Sequence, residues 1–364
     1  MSGFHNSSNK SASRAAGAET AGSKSAGKKG RILTGDRPTG KLHLGHYSGS
    51  LANRARLQEE YDTFIIIADM QALTTNFDRP ERLKEDVLQI ALDNLAAGID
   101  PRKATIFIQS LVPEIAELAM IFSMFVTVNS LRHNPTIKSE AAERGYRDLM
   151  YGFLGYPVSQ AADIAFCKAD LVPVGEDNVP HVEQTRRIVR RFNELYRPVL
   201  VEPGALVGEV GRLEGLDGNA KMSKHLNNAI FLSDPPGEVE RRINMVVTDP
   251  ARIHPTDPGH PEVCTVYSYH QAFNKPFSEE LDENCRAGRI GCVACKKRLG
   301  KAINDLLEPL RARRAEYERR PGDVEDILRE GTARAREIAM ATLREVREAM
   351  QIDYFTFQGG TGAF

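Results

Sequence analysis

Short β-rich apolar runs alternate with longer helical periods over residues 31–200, and this alternation predicts an α/β chain built on a parallel sheet. Beyond Pro236 the β-rich runs cease and only helical periods remain, so a helical domain is expected after the sheet. With 364 residues, the chain is long enough for each part to bury a core.

Residues 1–30 stand outside this frame. Lys10, Arg14, Lys24, Lys28 and Lys29 face a single acid, Glu19, in a background of Ser, Ala and Gly. Such a segment cannot offset its ordering entropy, so a disordered basic tail is expected in preference to a transit peptide. The sheet domain is expected over residues 31–232. Its first strand is ILTG, followed by a helix over 46–60, and TFIIIAD reads as a strand buried on both faces. Pro80 opens a helix to Ala97 with Leu83, Val87, Ala91 and Leu95 on one face. ATIFIQS is the next strand; a helix over 114–127, a mixed stretch to Tyr156 and a helix from Ser159 to Cys167 follow. The short run LVPVG and a helix from Pro180 to Tyr196 complete the alternation. Parallel sheets of this kind bind ligands beyond the carboxyl ends of their strands. The helical domain is expected over 233–350, with Ile303, Leu306, Leu307, Leu310 and Tyr317 near one face of one helix. Val324, Ile327, Leu328, Ile338, Val346 and Met350 do the same for the next, and residues 351–364 read as a frayed tail.

Charge and cysteines narrow the setting. The formal charge is −1, so the overall balance argues neither for nor against a polyanionic partner. No apolar stretch approaches the roughly 18 to 20 residues that cross a bilayer, and a cytoplasmic setting is expected. Cys264, Cys285, Cys292 and Cys295 are spaced C-x20-C-x6-C-x2-C, which suits tetrahedral zinc or a [4Fe–4S] cluster; cysteines that only pack are the plain alternative. Cys167 stands apart as a core residue. The basic run from Arg286 to Arg320 overlaps this cysteine group, which lifts it above an ordinary solvated face and points to nucleic acid.

Two short motifs carry chemistry. In TGDRPTGKLHLGHY a strand hands over to a helix at glycines, which sets free backbone N–H groups and the positive end of a helix dipole at one spot. His43 and His46 add donors there, and Gly45 lets a base or sugar approach the backbone. Taken alone, a solvent-facing helix start would explain these residues equally well. In DGNAKMSKHLNN, residues 217–228, Lys221 and Lys224 sit on a mobile polar loop able to close on a polyphosphate, although an exposed lysine pair is usually decoration.

Together HLGH and KMSK resemble the two signatures of class I aminoacyl-tRNA synthetases. GYPVSQAADIAFCKADLVPVGEDNVPHVEQTRRIVRRFN, from Gly155 to Asn193, is similar to the amino-acid and ribose region of the tryptophanyl-tRNA synthetases. GDRPTGKLHLGHY, AGIDPRKATIFIQS and the cysteine-bearing tail share that similarity, which spans about residues 31 to 350.

The resemblance implies a Rossmann-like parallel-sheet catalytic domain, an α-helical anticodon-binding domain and a homodimer acting on L-tryptophan, ATP with Mg²⁺, and tRNA(Trp). His43, His46, Lys221 and Lys224 become the catalytic cations and donors. Arg37, Thr39, Gly45, Met222 and Ser223 join them around ATP, with Gly175 and Asp177 at the ribose. Asp163 is implied as acceptor of the indole N–H, with Leu33, Val172 and Val174 lining the slot, Tyr156 near the substrate ammonium, and Gln160 and Asn178 completing the site. Some bacterial members hold a [4Fe–4S] cluster on similar cysteines beside the anticodon site, which favours the cluster over zinc. Arg37, Gln160, Asn178 and His225 depart from the residues of better-known members and resemble a second, auxiliary type. Two rivals remain: a tyrosyl-tRNA synthetase, matched by Tyr156, Gln160 and Asp163 but offered no polar partner by Leu33, and a tryptophan-binding regulatory paralogue.

Overall fold

The computed structural model describes residues 30–175, 178–207, 213–218, 222–224 and 226–354. Its strands are β1 (Arg31–Asp36), β2 (Asp62–Ile67), β3 (Ala104–Ile108), β4 (Leu171–Val174) and β5 (Gly204–Val207). All pair in parallel, in the order β3-β2-β1-β4-β5. The α/β class is therefore as expected. β5 adds to the expected strands: four residues that include a glycine and are nowhere fully buried present no period for a sequence window to register.

Between β1 and β2 the chain forms α1 (Leu44–His46), a π-helical turn (Tyr47–Leu51) and α2 (Ala52–Leu57). α3 (Asp69–Asn76) and α4 (Leu83–Ala96) lead to β3. The mixed stretch before Tyr156 is helical: α5 (Glu114–Ser123) is followed by α6 (Val128–Arg132) and α7 (Pro135–Arg144). The local cause is Asn134, whose Oδ1 accepts the Thr136 N–H at 2.9 Å, with Pro135 pre-set for the first helical position. α8 (Tyr151–Ala165) begins earlier than the expected helix and runs through Gly152, Gly155 and Pro157. Burial of Phe153, Leu154, Tyr156, Val158 and Ile164 outweighs those weak helix formers. α9 (Val179–Leu195) leads to β5. Helices alone follow: α10 (Pro236–Asn244), α11 (Thr265–Phe273), α12 (Lys275–Arg286), α13 (Cys292–Glu318) and α14 (Pro321–Ala349).

Alternation along β2 sorts its side chains onto two cores. Phe64 and Ile66 join Phe107, Phe122 and Phe166 on one face, together with Ala335, Ala339, Leu343 and Val346 of α14. Ile65 and Ile67 join Ile90 and Leu95 on the other, with Leu299, Ile303 and Leu307 of α13 and Val324 and Leu328 of α14. The last two helices thus complete both cores. α14 also covers the edge strand β3: Thr332 Oγ1 accepts the Ile108 N–H at 3.3 Å. A Cβ on Gly331 would lie 2.0 Å from the Ile106 carbonyl oxygen, so the approach of helix to strand requires glycine at that point.

Candidate active site

The strand order reverses between β1 and β4, so crossovers leave in opposite directions and a crevice opens at their carboxyl ends. A cavity of about 350 Å³ lies there, walled by residues 33–37 of the first strand and its exit, residues 172–175 of the fourth, and Tyr156, Gln160 and Asp163 of α8. That volume is within the range of small-molecule sites. A broader polar cleft of about 520 Å³ adjoins it, sharing Asp36, Arg37 and His46 and adding Thr39, His43, Arg79, Arg82, Met222, Ser223 and Lys224. One cavity is a slot, and its neighbour is a cation-lined trough.

The slot is built around a buried carboxylate. Asp163 is 3% exposed, and its Oδ1 accepts the Gln109 Nε2–H at 2.7 Å, while Gln109 Oε1 accepts the Gln71 backbone N–H at 3.1 Å. Burial pushes the Asp163 carboxyl up to about 7; the Gln109 bond opposes the rise and the charge of Asp69 adds to it. Leu33, Val172 and Val174 supply apolar wall. Tyr156 OH lies 3.2 Å from His181 Nε2, and burial followed by the charge of Glu140 holds its phenol well above the ordinary tyrosine range. Asn178 caps α9 at the slot's rim, next to Gly175.

The trough is built on the turn after β1. His43 caps α1, and its backbone N–H donates to His46 Nδ1 at 3.2 Å, so a neutral His46 carries its proton on Nε2. A Cβ on Gly45 would lie 3.1 Å from the His43 ring and 3.6 Å from Met222 Cβ, which explains the bare backbone there. Residues 42–44 pair with 230–232: Leu44 N–H donates to Ile230 O at 2.9 Å and Leu232 N–H to Leu42 O at 3.0 Å. The first motif therefore pairs through main chain with the residues just beyond the second. Buried Asn228 shapes the second one, accepting from the Ser223 N–H at 2.7 Å and donating to Asp217 Oδ1 at 2.8 Å. Lys224 Nζ donates to Gly40 O at 2.7 Å and Thr39 Oγ1 at 3.4 Å. Burial draws its ammonium down to about 8, against the pull of Asp36, Asp93 and Asp86.

Two buried carboxylates pin this turn from behind. Asp36, at the end of β1, receives Arg54 Nη1 on Oδ2 at 2.5 Å and Nη2 on Oδ1 at 3.1 Å. Burial pushes the Asp36 carboxyl up, yet Arg54 outweighs it and leaves the group below the ordinary carboxylate value. Asp93 of α4 accepts the Leu42 N–H on Oδ2 at 2.7 Å and Arg314 of α13 on Oδ1. A residue of the long C-terminal helix is thus one side chain away from the residue preceding His43.

A family model described as tRNA synthetases class I (W and Y) matches residues 24–308. The tryptophan–tRNA ligase of Clostridium longisporum is 49% identical over 332 residues, covering 89% of this chain and 97% of that protein. The corresponding ligase of Treponema pallidum is 49% identical over 325 residues, covering 88% and 96%. The chain belongs to the class I tRNA synthetases of the W and Y family. Among solved structures, the Campylobacter jejuni tryptophanyl-tRNA synthetase complexed with ADP and tryptophan superposes with a TM-score of 0.78 at 31% identity, covering 88% of this chain and 99% of that one.

In this class I synthetase the sequence-predicted residues fall in different places. Leu33, Arg37, Tyr156, Gln160, Asp163, Val172, Val174, Gly175 and Asn178 line the slot, and Thr39, His43, His46, Met222, Ser223 and Lys224 line the trough. Gly45 lies against His43 and Met222 of the trough. Asp177, Lys221 and His225 lie outside the described residues. Sequence reading did not register Gln109, Glu140, Arg54, Asp93, Arg314 or Asn228. Asn134-Pro135 was the available signal for the helix that carries Glu140, and Asn228 closes the quoted loop through Ser223 and Asp217; Gln109, Arg54, Asp93 and Arg314 act through partners outside their own elements.

The cysteines give a different outcome. Cys264, Cys285, Cys292 and Cys295 do come together, for the other three charges and burial all act on Cys295, with burial the largest influence pushing its thiol up to about 12. Arg252 Nη1 sits 3.7 Å from Cys285 Sγ and 4.0 Å from Cys292 Sγ, and His270 Nε2 is 3.6 Å from Cys295 Sγ. All four thiols are free, and among the described residues no group of three metal-ligating side chains is placed to hold an ion. The expected [4Fe–4S] or zinc centre is therefore not supported among the described residues, although the four thiols lie close together with a guanidinium beside two of them.

Proposed function

We propose that this synthetase is a tryptophan–tRNA ligase, activating L-tryptophan with Mg-ATP to tryptophanyl-adenylate and pyrophosphate and then loading the 3′ end of tRNA(Trp). The observation that carries this reading is Asp163, a buried acceptor set in an apolar-walled slot beside a cation-lined trough. The indole ring offers one N–H and a large apolar face, and the slot matches both. Relatives 49% identical bear the same activity in their names.

In the first step the tryptophan carboxylate, already a nucleophile, attacks the α-phosphorus as pyrophosphate leaves. Positioning and positive charge are what the protein must supply. His43 and His46 donate toward the phosphoryl oxygens, Lys224 and Lys221 follow the pyrophosphate with the Mg²⁺ that the nucleotide brings, and Gly175 and Asp177 hold the ribose. Each donor aimed at the transition state contributes on the order of 3 to 4 kcal/mol. In the second step a ribose hydroxyl of the tRNA end attacks the adenylate carbonyl and AMP departs. Residues 31–232 serve catalysis and 233–350 the anticodon arm. Pairing of two copies is part of the same reading. The reaction belongs in the cytoplasm; no helix among the described residues is long and apolar enough to cross a membrane.

ATP–pyrophosphate exchange with each amino acid tests the reading. Tryptophan alone is expected to support exchange, and equal exchange with tyrosine would overturn it. Aminoacylation far below the rate of exchange would turn the interpretation toward a regulatory paralogue.

A further inference from the structure

We propose that Glu140, on α7, is the anionic seat for the α-ammonium group of the amino-acid substrate, held ready by Arg37. The assignment rests on the reading of the slot as an amino-acid site and names the group that takes the substrate's cation.

Three carboxylates line the slot: Asp36, Glu140 and Asp163. Asp36 is engaged by the guanidinium of Arg54 through both oxygens. Asp163 is tied to Gln109 and faces the apolar walls. Glu140 differs from both. Its Oε1 accepts Arg37 Nη2 at 3.3 Å, whereas its buried Oε2 has no donor at good hydrogen-bond geometry, although the Tyr156 phenol lies close enough to bond the carboxylate. A buried carboxylate oxygen without a well-aligned donor is costly, and an incoming ammonium group with three N–H donors relieves that cost. The Arg37 partner is loosely committed: one contact at the long end of the hydrogen-bond range, on a side chain 34% exposed. Glu140 also lies close enough to Tyr156 for its charge to act on the phenol, which puts the carboxylate on the α8 side of the slot with Gln160. An amino acid whose ring reaches Asp163 and whose carboxylate turns to the trough must leave its ammonium group in the region these side chains enclose.

The chain has no tryptophan, so indole fluorescence reports bound ligand without a protein background of the same kind. Binding is measured for L-tryptophan, tryptamine, which keeps the ammonium group, and indole-3-propionate, which lacks it. Glu140→Gln is expected to weaken tryptophan and tryptamine by roughly tenfold to a hundredfold, the worth of a hydrogen bond to a charged group. Indole-3-propionate is expected to stay within about twofold, the scale of a peripheral electrostatic change. Glu140→Asp, which keeps the charge, should retain part of the affinity for both amines, and it takes the same three-ligand test if the glutamine variant does not fold. Unchanged tryptophan binding in a folded variant, or equal loss for all three ligands, overturns the assignment. A wild-type protein that neither binds nor activates tryptophan overturns the functional reading instead.

Discussion

Asp163 illustrates how a residue's environment rather than its identity sets its chemistry. Burial raises its carboxyl to about 7, Gln109 holding it down and Asp69 pushing it further. Below that value the unliganded carboxyl carries a proton that it must release to become a full acceptor for the indole N–H. Tryptophan affinity is therefore expected to fall as pH drops below about 7, by up to about tenfold per unit, and Asp163→Asn should flatten the profile. The same shift opposes folding. Between the ordinary carboxylate value of 3.8 and about 7 the folded chain keeps a proton that the unfolded chain has lost, so stability declines as pH rises through that window. Denaturant midpoints against pH check this, and the asparagine variant should lose the decline. Lys224 makes the complementary case. Burial brings its ammonium to about 8, so KM for ATP is expected to climb above that pH as the cation is lost. Lys224→Arg, which stays charged, should abolish the climb even if its reach lowers the overall rate. Asp163 and Lys224 were legible because each sits in a quotable motif. Gln109 and Glu140 were not, since nothing in an isolated Gln or Glu shows that an oxygen will be buried against a slot.

Two contacts at the level of elements decide whether the helical half supports the site. Gly331 lets α14 lie directly on β3, and the methyl group of Gly331→Ala would meet the Ile106 carbonyl at 2.0 Å. The helix must then lift from the edge strand, and a loss of about 1 to 3 kcal/mol is expected from chemical denaturation. Asp93 joins the Leu42 N–H of the signature turn to Arg314 of α13. Arg314→Met leaves a buried carboxylate without its cation and is expected to cost about 3 to 5 kcal/mol. The double variant Arg314→Met, Asp93→Asn should recover part of that loss, because a neutral amide oxygen can still accept the Leu42 N–H. Full additivity of the two single effects would contradict the coupling. Helix positions were readable from apolar periods for α4, α9, α13 and α14, whereas α8 starts at Tyr151, before the Ser159 expected from the sequence.

Across the whole molecule, charge that looked available in the sequence is partly spent inside the fold. Arg286 pairs with Asp282 and Glu262, Lys301 with Asp305, Arg311 with Glu308, Arg314 with Asp93 and Glu318, and Arg320 with Glu316 and Asp323. Binding of tRNA(Trp) by the remaining basic surface should still weaken steeply with salt, with the slope of log affinity against log salt reporting the phosphates contacted; a flat profile would argue against a nucleic-acid face there. The sequence by itself determined the α/β class, the order of most strands and helices, and which short segments line the crevice. Those properties follow from apolar period, turn residues and motif spacing among near neighbours. Tertiary structure alone decided that β1 and β4 frame the crevice, that residues 42–44 and 230–232 pair, that α13 and α14 finish both cores, and that four well-spaced thiols gather beside an arginine. Each of these depends on burial and on partners far apart in the chain, where desolvation and geometry, not local composition, set the outcome.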